Sequence, residues 1–222
     1  MKKLLSSLLL FSILMSFTTF QTPERIIFFG DSITQQGVGP KGYITVLQEM
    51  IKTKGIDKKY EIVGAGISGN KVTDLYLRLE EDVLAKNPNT VVIFIGTNDV
   101  WHKASHGTGT DPDKFEKFYV AIIKKLQAKN IKVALATPGA IGEKTDCTNE
   151  LDGDLNKYAA IIRNIAAKTN CSLIDLRKVF LDYNLVNNKD NQEKGILTTD
   201  RVHLNDTGNK VVAEQMYKHL IK

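Results

Sequence analysis

Cysteine is scarce in this chain: 222 residues contain two, Cys147 and Cys171. A disulfide between them would be permitted in an oxidising compartment, but the order of elements argues against it. A predicted helix from about Asp152 to Thr169 separates them, and its length holds its ends roughly 25 Å apart. A bridge needs Cα atoms within about 7 Å, so the two are expected not to pair with each other. Long apolar runs are missing too: no stretch reaches the ~20 residues of a membrane-spanning helix. Internal repeats and low-complexity linkers are also absent, so one domain accounts for the chain outside its first twenty residues. A concentrated basic patch is lacking as well. The formal net charge is +5, and its lysines are spread along predicted helices, as Lys124, Lys125 and Lys129 are. That distribution reads as a solvated surface, and no nucleic-acid partner is expected.

The first twenty residues read as an address. Lys2 and Lys3 precede an apolar run, Leu4 to Phe17, broken only by Ser6, Ser7, Ser12 and Ser16. This suits the apolar segment of a secretory signal peptide and is short for a span. Residues 1–20 are therefore expected to be a signal peptide, and 21–222 one exported domain, periplasmic or secreted, with no stable membrane span once the signal is removed. Nothing resembles an Ala-x-Ala cleavage site, and no cysteine follows the run to carry a lipid. An uncleaved N-terminal anchor is the alternative. Oligomeric state is not legible.

Strand-like and helix-like segments alternate through the rest. Five short apolar runs, Arg25–Gly30, Tyr60–Gly64, Thr90–Gly96, Ile131–Ala136 and Ser172–Leu176, read as strands buried on both faces. Between and after them, Gly42–Lys54, Val72–Lys86, Lys114–Lys129, Asp152–Thr169 and Asp206–Ile221 carry apolar residues at helical spacing. Asn205 or Asp206 caps the last. Such alternation predicts an α/β fold, a parallel sheet covered by helices on both faces, a three-layer α/β/α arrangement. Ligands in such sheets bind beyond the carboxyl ends of the strands, so chemistry is sought just after each strand.

Four polar or glycine-rich clusters lie there. Gly30-Asp31-Ser32 follows the first strand, Gly66-Ile67-Ser68-Gly69-Asn70 the second, and Gly96-Thr97-Asn98-Asp99 the third. Asp200-Arg201-Val202-His203-Leu204-Asn205 precedes the last helix. A serine hydroxyl is a weak nucleophile that needs an adjacent base, and His203 can supply one. Asp200, three residues earlier, is close enough to accept from the other imidazole nitrogen and fix its tautomer. The Ser32 and Gly69 backbone N–H groups and the Asn98 side-chain amide are candidate oxyanion donors.

In their order along the chain these clusters resemble the Ser, Gly, Asn and His blocks of the SGNH/GDSL hydrolase family, from Gly30 to His203. The resemblance implies a flavodoxin-like five-stranded sheet and ester hydrolysis through an acyl-enzyme without a cofactor. It also implies roles by position: Ser32 as nucleophile, Gly69 and Asn98 as oxyanion donors, His203 as base and Asp200 as its orienting acid. Arg201 stands where many relatives have a small residue, which bears on substrate contacts. The Gly139–Leu155 and Trp101-His102 segments resemble bacterial members regarded as carbohydrate-acting acylesterases.

Other readings compete at single residues. Ser32 could merely cap a turn, and Ser68 is a rival nucleophile that lacks the second glycine of Gly-x-Ser-x-Gly. Asp31 and Asp99 read as structural, the latter as a buried acceptor. Gly37 to Gly42 matches a dinucleotide-binding pattern but starts too far beyond its strand. His102 and His106 are spaced like metal ligands on a helix. Gly107, Gly109 and Asp111-Pro112 place them in a loop, however, and no metal is expected. The segment Val100–Thr110 is expected to wall the pocket, with Trp101 as a platform. The function expected is hydrolysis of short acyl esters, acetyl above all, of a saccharide or small alcohol. A lysophospholipase or thioesterase acting on longer acyl chains, and a non-catalytic glycan-binding module, are the alternatives.

Overall fold

The computed structural model describes residues 22–222, so the expected signal peptide lies outside the described residues. Five strands form one sheet: β1 (Glu24–Gly30), β2 (Tyr60–Gly66), β3 (Thr90–Phe94), β4 (Lys132–Ala136) and β5 (Ser172–Ile174). Every pairing is parallel and the spatial order is β2-β1-β3-β4-β5. Val91, Val92 and Ile93 of β3 are fully buried in succession, as a strand covered on both faces requires.

Among the described residues eight α-helices surround the sheet: α1 (Ser32–Gly37), α2 (Tyr43–Thr53), α3 (Val72–Asp82), α4 (Thr97–His106), α5 (Pro112–Gln127), α6 (Asp152–Thr169), α7 (Leu176–Asn187) and α8 (Asp206–Leu220). The step from β1 to β2 runs one way across the sheet and the step from β2 to β3 runs back past β1. Right-handed crossovers therefore put α2 and α3 on opposite faces. Helix α8 packs on α2, while α3, α5 and α6 pack in sequence, giving the two outer layers. The reversal falls between β1 and β3, which is where ligands bind in doubly wound sheets. Ser32 follows one of these strands and Asn98 the other.

Several segments differ from the sequence reading, which contains neither α1 nor α7. Thr97–His106 is helical, not a loop. Gly107 has φ +66° and caps the helix by donating its N–H to the His102 carbonyl, so that glycine ends a helix. Pro112, read as loop punctuation, stands in the first turn of α5, where its missing N–H costs nothing. The last predicted strand is shorter than expected, because Asp175 accepts from the Lys178 N–H and starts α7. Asn205 is the cap of α8, accepting from the Gly208 N–H. Cys147 and Cys171 are free thiols. Among the described residues no helix is long and apolar enough to cross a membrane.

Candidate active site

The clusters read from the sequence meet at the carboxyl ends of β1, β2 and β3. Ser32 opens α1 and is 7% exposed. Its Oγ lies 2.9 Å from His203 Nε2, across 171 positions of chain. His203 Nδ1 lies 2.7 Å from Asp200 Oδ2. The other Asp200 oxygen accepts the backbone N–H groups of His203 at 2.8 Å and Val202 at 3.1 Å, so one carboxylate holds both the turn and the ring that the turn presents. Partial burial works to raise the Asp200 carboxyl, but these hydrogen bonds outweigh it and leave it below the ordinary value.

The oxyanion candidates converge on the same rim. The Ser32 N–H belongs to the first turn of α1 and has no intrahelical partner. The loop after β2 is pinned by three bonds: Ile67 N–H to the Gly30 carbonyl, Ser68 N–H to Gln35 Oε1 at 2.7 Å, and Asn98 Nδ2 to the Asn70 carbonyl at 3.1 Å. Gly69 sits in this loop at φ +76°, a conformation a side chain disfavours. A Cβ there would meet nothing nearer than His102 Cε1 at 3.9 Å, so the backbone angle, not crowding, calls for glycine. Asn98 is buried and keeps a second amide proton beyond the one given to Asn70. Ser68, the rival nucleophile, is exposed.

Arg78 of α3 carries no signal in the sequence, yet it ties these loops together. Its guanidinium donates to the carbonyls of Gly30 at 2.8 Å and Ala65 at 3.0 Å and to Asn70 Oδ1 at 2.7 Å, and it lies over the Phe29 ring. The carbonyls at the ends of β1 and β2 are visible only once the strands are paired.

Trp101 and His102 are one turn beyond Asn98 on α4, so the three share a helix face. Trp101 lines a cavity of about 230 Å³ with Ile141, Leu151, Asp200, Arg201 and Val202. This space lies on the Asp200 side of the pair and touches neither Ser32 nor His203. A larger cavity of about 620 Å³, between the 142–156 segment and α7, is lined by none of Ser32, Asp200 and His203, so size alone does not mark the chemistry. Arg201 reaches the smaller cavity and pairs with Glu193 at 2.9 Å. Its backbone has φ +86°, a strained angle for a non-glycine residue and a physical reason for small residues at this position. The His102 and His106 rings are 5.0 Å apart on α4, but among the described residues no group of three potential ligands surrounds them.

Asp31 and Asp99 are buried acceptors. Asp31 caps α1 by accepting from Ile33 at 3.0 Å, and Asp99 accepts from the Val72 N–H. Burial pushes the Asp31 carboxyl up to about 7; the Ile33 bond opposes this and the neighbouring Asp99 adds to it. Burial likewise lifts Asp99 to about 6 against its hydrogen bonds from Thr110 and Val72. The folded value of Asp31 lies above the ordinary 3.8, so the native state holds this proton where the unfolded chain has lost it. The stability it contributes is full below that ordinary value and is lost as the pH rises to about 7. Asp31→Asn, which keeps an oxygen for Ile33, should therefore raise Tm by several degrees at high pH and by progressively less towards pH 4. Thermal melts across this range check it, and a gain independent of pH would remove the buried charge from the account.

The model of the GDSL-like lipase/acylhydrolase family matches residues 28–211. An acetylxylan esterase from Geobacillus stearothermophilus is 28% identical over 213 residues, covering 89% of this chain and 94% of its own. The crystal structure of an acetyl xylan esterase, AlAXEase, superimposes with a TM-score of 0.88 at 65% identity, covering 89% of this chain and all of the other. Structures of catalytic mutants of a Geobacillus stearothermophilus acetylxylan esterase, with a histidine, a serine or an aspartate replaced by alanine, give TM-scores of 0.77–0.79 at 25% identity. They cover 88–90% of this chain and 93–95% of theirs.

Proposed function

We propose, from the premise that the chain belongs to the GDSL-like lipase/acylhydrolase family, that it removes acetyl groups from xylose-based saccharides with Ser32 as nucleophile. The chain is a carboxylic ester hydrolase of the SGNH type. The observation that carries the catalytic assignment is the continuous hydrogen-bonded line from Ser32 Oγ through the His203 ring to Asp200. The identity of 65% to an acetyl xylan esterase supports the substrate.

The chemistry follows from the atoms. His203 Nε2 takes the Ser32 proton as Oγ attacks the ester carbonyl carbon. Asp200 holds the ring in the tautomer that leaves Nε2 free to accept, and steadies the imidazolium that forms. Negative charge develops on the former carbonyl oxygen, where the Ser32 and Gly69 N–H groups and the Asn98 amide donate to it. Collapse expels the saccharide alkoxide, which takes the proton from His203, and leaves acetyl-Ser32. Water, deprotonated by the same imidazole, attacks this ester, and collapse releases acetate as Ser32 Oγ takes the proton back from His203. Every step is proton transfer or acyl transfer, within the competence of these side chains and without a cofactor. The cavity that Trp101 and Arg201 line together with Asp200 supports a role for both in meeting the saccharide. The Lys2-Lys3 pair and the apolar run after it support export to where such polymers are found.

Release of acetate from acetylated xylo-oligosaccharides, with decanoate esters as comparison, tests the substrate. Preference for decanoate would favour the long-chain acyl reading instead. Asn98→Ala should leave the fold intact and lower kcat by about 10²–10³-fold, the usual cost of one oxyanion donor. Steady-state kinetics on p-nitrophenyl acetate check this, and an unchanged kcat would exclude Asn98 from the site.

A further inference from the structure

We infer that Glu143 is a positioning residue for the Asp200–His203 pair, a role that rests on the assignment of that pair as orienting acid and base. The pair sits in a segment with almost no regular structure of its own. Between α7 and α8 the single ladder element is a bridge from Thr198 to Leu204. A loop of this kind cannot hold an imidazole to a fraction of an ångström unless something outside it fixes its backbone.

Glu143 is that outside element. It is 1% exposed, and its two carboxylate oxygens accept the N–H groups of Ile196 at 2.8 Å and Leu197 at 2.7 Å. Two consecutive N–H groups converge on one planar side chain. Only a carboxylate offers two acceptor oxygens in that geometry; an amide would turn a donor towards one of them. The hold passes directly to the catalytic turn. The Leu197 carbonyl accepts the Asn205 N–H at 3.0 Å, and the Thr199 N–H donates to the His203 carbonyl at 2.8 Å. The limb that Glu143 grips is therefore paired with the limb that carries His203.

The backbone around Glu143 grips the same segment from other sides. The Glu143 N–H donates to the Glu193 carbonyl, its own carbonyl accepts from Asn188 Nδ2, and the Gly142 N–H donates to the Arg201 carbonyl at 2.9 Å. Arg201, between Asp200 and Val202, is the residue held at positive φ. A strained turn keeps its shape only where its surroundings over-determine it. The segment 142–143 supplies that constraint for the turn presenting Asp200 and His203.

The experiment compares Glu143→Gln and Glu143→Asp with wild type, with Ser32→Ala as control. A p-nitrophenyl phosphonate that labels the reactive serine counts competent sites, so kcat is expressed per labelled Ser32. Both variants should show kcat per labelled site lowered by about 10–100-fold, the scale of a small misplacement of catalytic groups, while KM changes little. The low-field proton resonance of the His203–Asp200 hydrogen bond should shift or vanish in step. Wild-type kcat per labelled site and an unmoved resonance, with only Tm lowered, would overturn the role and leave Glu143 a purely structural residue. If Glu143→Gln does not fold, the same two readings on Glu143→Asp, which keeps the charge but is one methylene shorter, decide between these outcomes. Labelling of Ser32→Ala, or turnover by it within tenfold of wild type, would instead overturn the Ser32 assignment, and the role of Glu143 with it.

Discussion

Ser32→Ala should lower kcat by about 10⁴–10⁶-fold, the range seen when an activated nucleophile is removed while binding and oxyanion donors remain. The size follows from the position of Oγ. It is the hydroxyl on His203 Nε2, and the N–H of the same residue lies in the first turn of α1 without an intrahelical partner, as the proposed oxyanion donor requires. Deleting Oγ leaves that N–H, Gly69 and Asn98 in place, so some catalysis over water survives. Stability should change little, since the Oγ bond is to a ring that Asp200 already holds. Acetate release measured at enzyme concentrations high enough to see the residue, together with thermal melts, checks both halves. Turnover within tenfold of wild type would transfer the role to another group, and exposed Ser68 would be the first to examine.

Asp200→Asn should cost about 10³–10⁴-fold in kcat with little change in KM, a loss attributable to the wrong tautomer of the histidine. The carboxylate has two separate duties here. One oxygen accepts from the Val202 and His203 N–H groups and shapes the turn, and the other faces Nδ1. An asparagine can keep the first duty with its carbonyl oxygen, which leaves its amide facing Nδ1. The ring must then carry its proton on Nε2, where it no longer accepts from Ser32. Because the turn keeps its acceptor, the loss should be in turnover rather than in folding, which a kcat measurement beside a thermal melt would separate. A kcat close to that of wild type would make Asp200 a turn-former only.

The strands were legible because a parallel sheet buries both faces, so runs such as Val91 to Ile95 are apolar without alternation. The clusters that meet at the sheet's rim were legible because they follow those runs directly. Helix α6 was legible to its bounds, and α8 from its cap. Less visible were elements whose signals mimic something else. Gly107 and Pro112 look like loop punctuation, but they are the stop of α4 and the start of α5. Helix α7 buries Asn184 beside Phe180, and a polar residue on the buried face hides the apolar stripe. Arg78 and Glu143 were invisible for a deeper reason. Each serves backbone groups of distant segments, and no residue pattern announces where a carbonyl or an N–H will need a partner.

The 171 positions between nucleophile and base also set an order of events. The start of α2 is joined to the last helix, α8, by the Tyr43 N–H on Asn209 and by the ion pair of Lys41 with Asp206. Until α8 has docked on α2, Ser32 has no imidazole to activate it. Such distant closures are the slow part of building a parallel sheet. A chain emerging from a ribosome is thus a silent hydrolase until its last helix is in place, and returning activity times the last step of folding rather than the first.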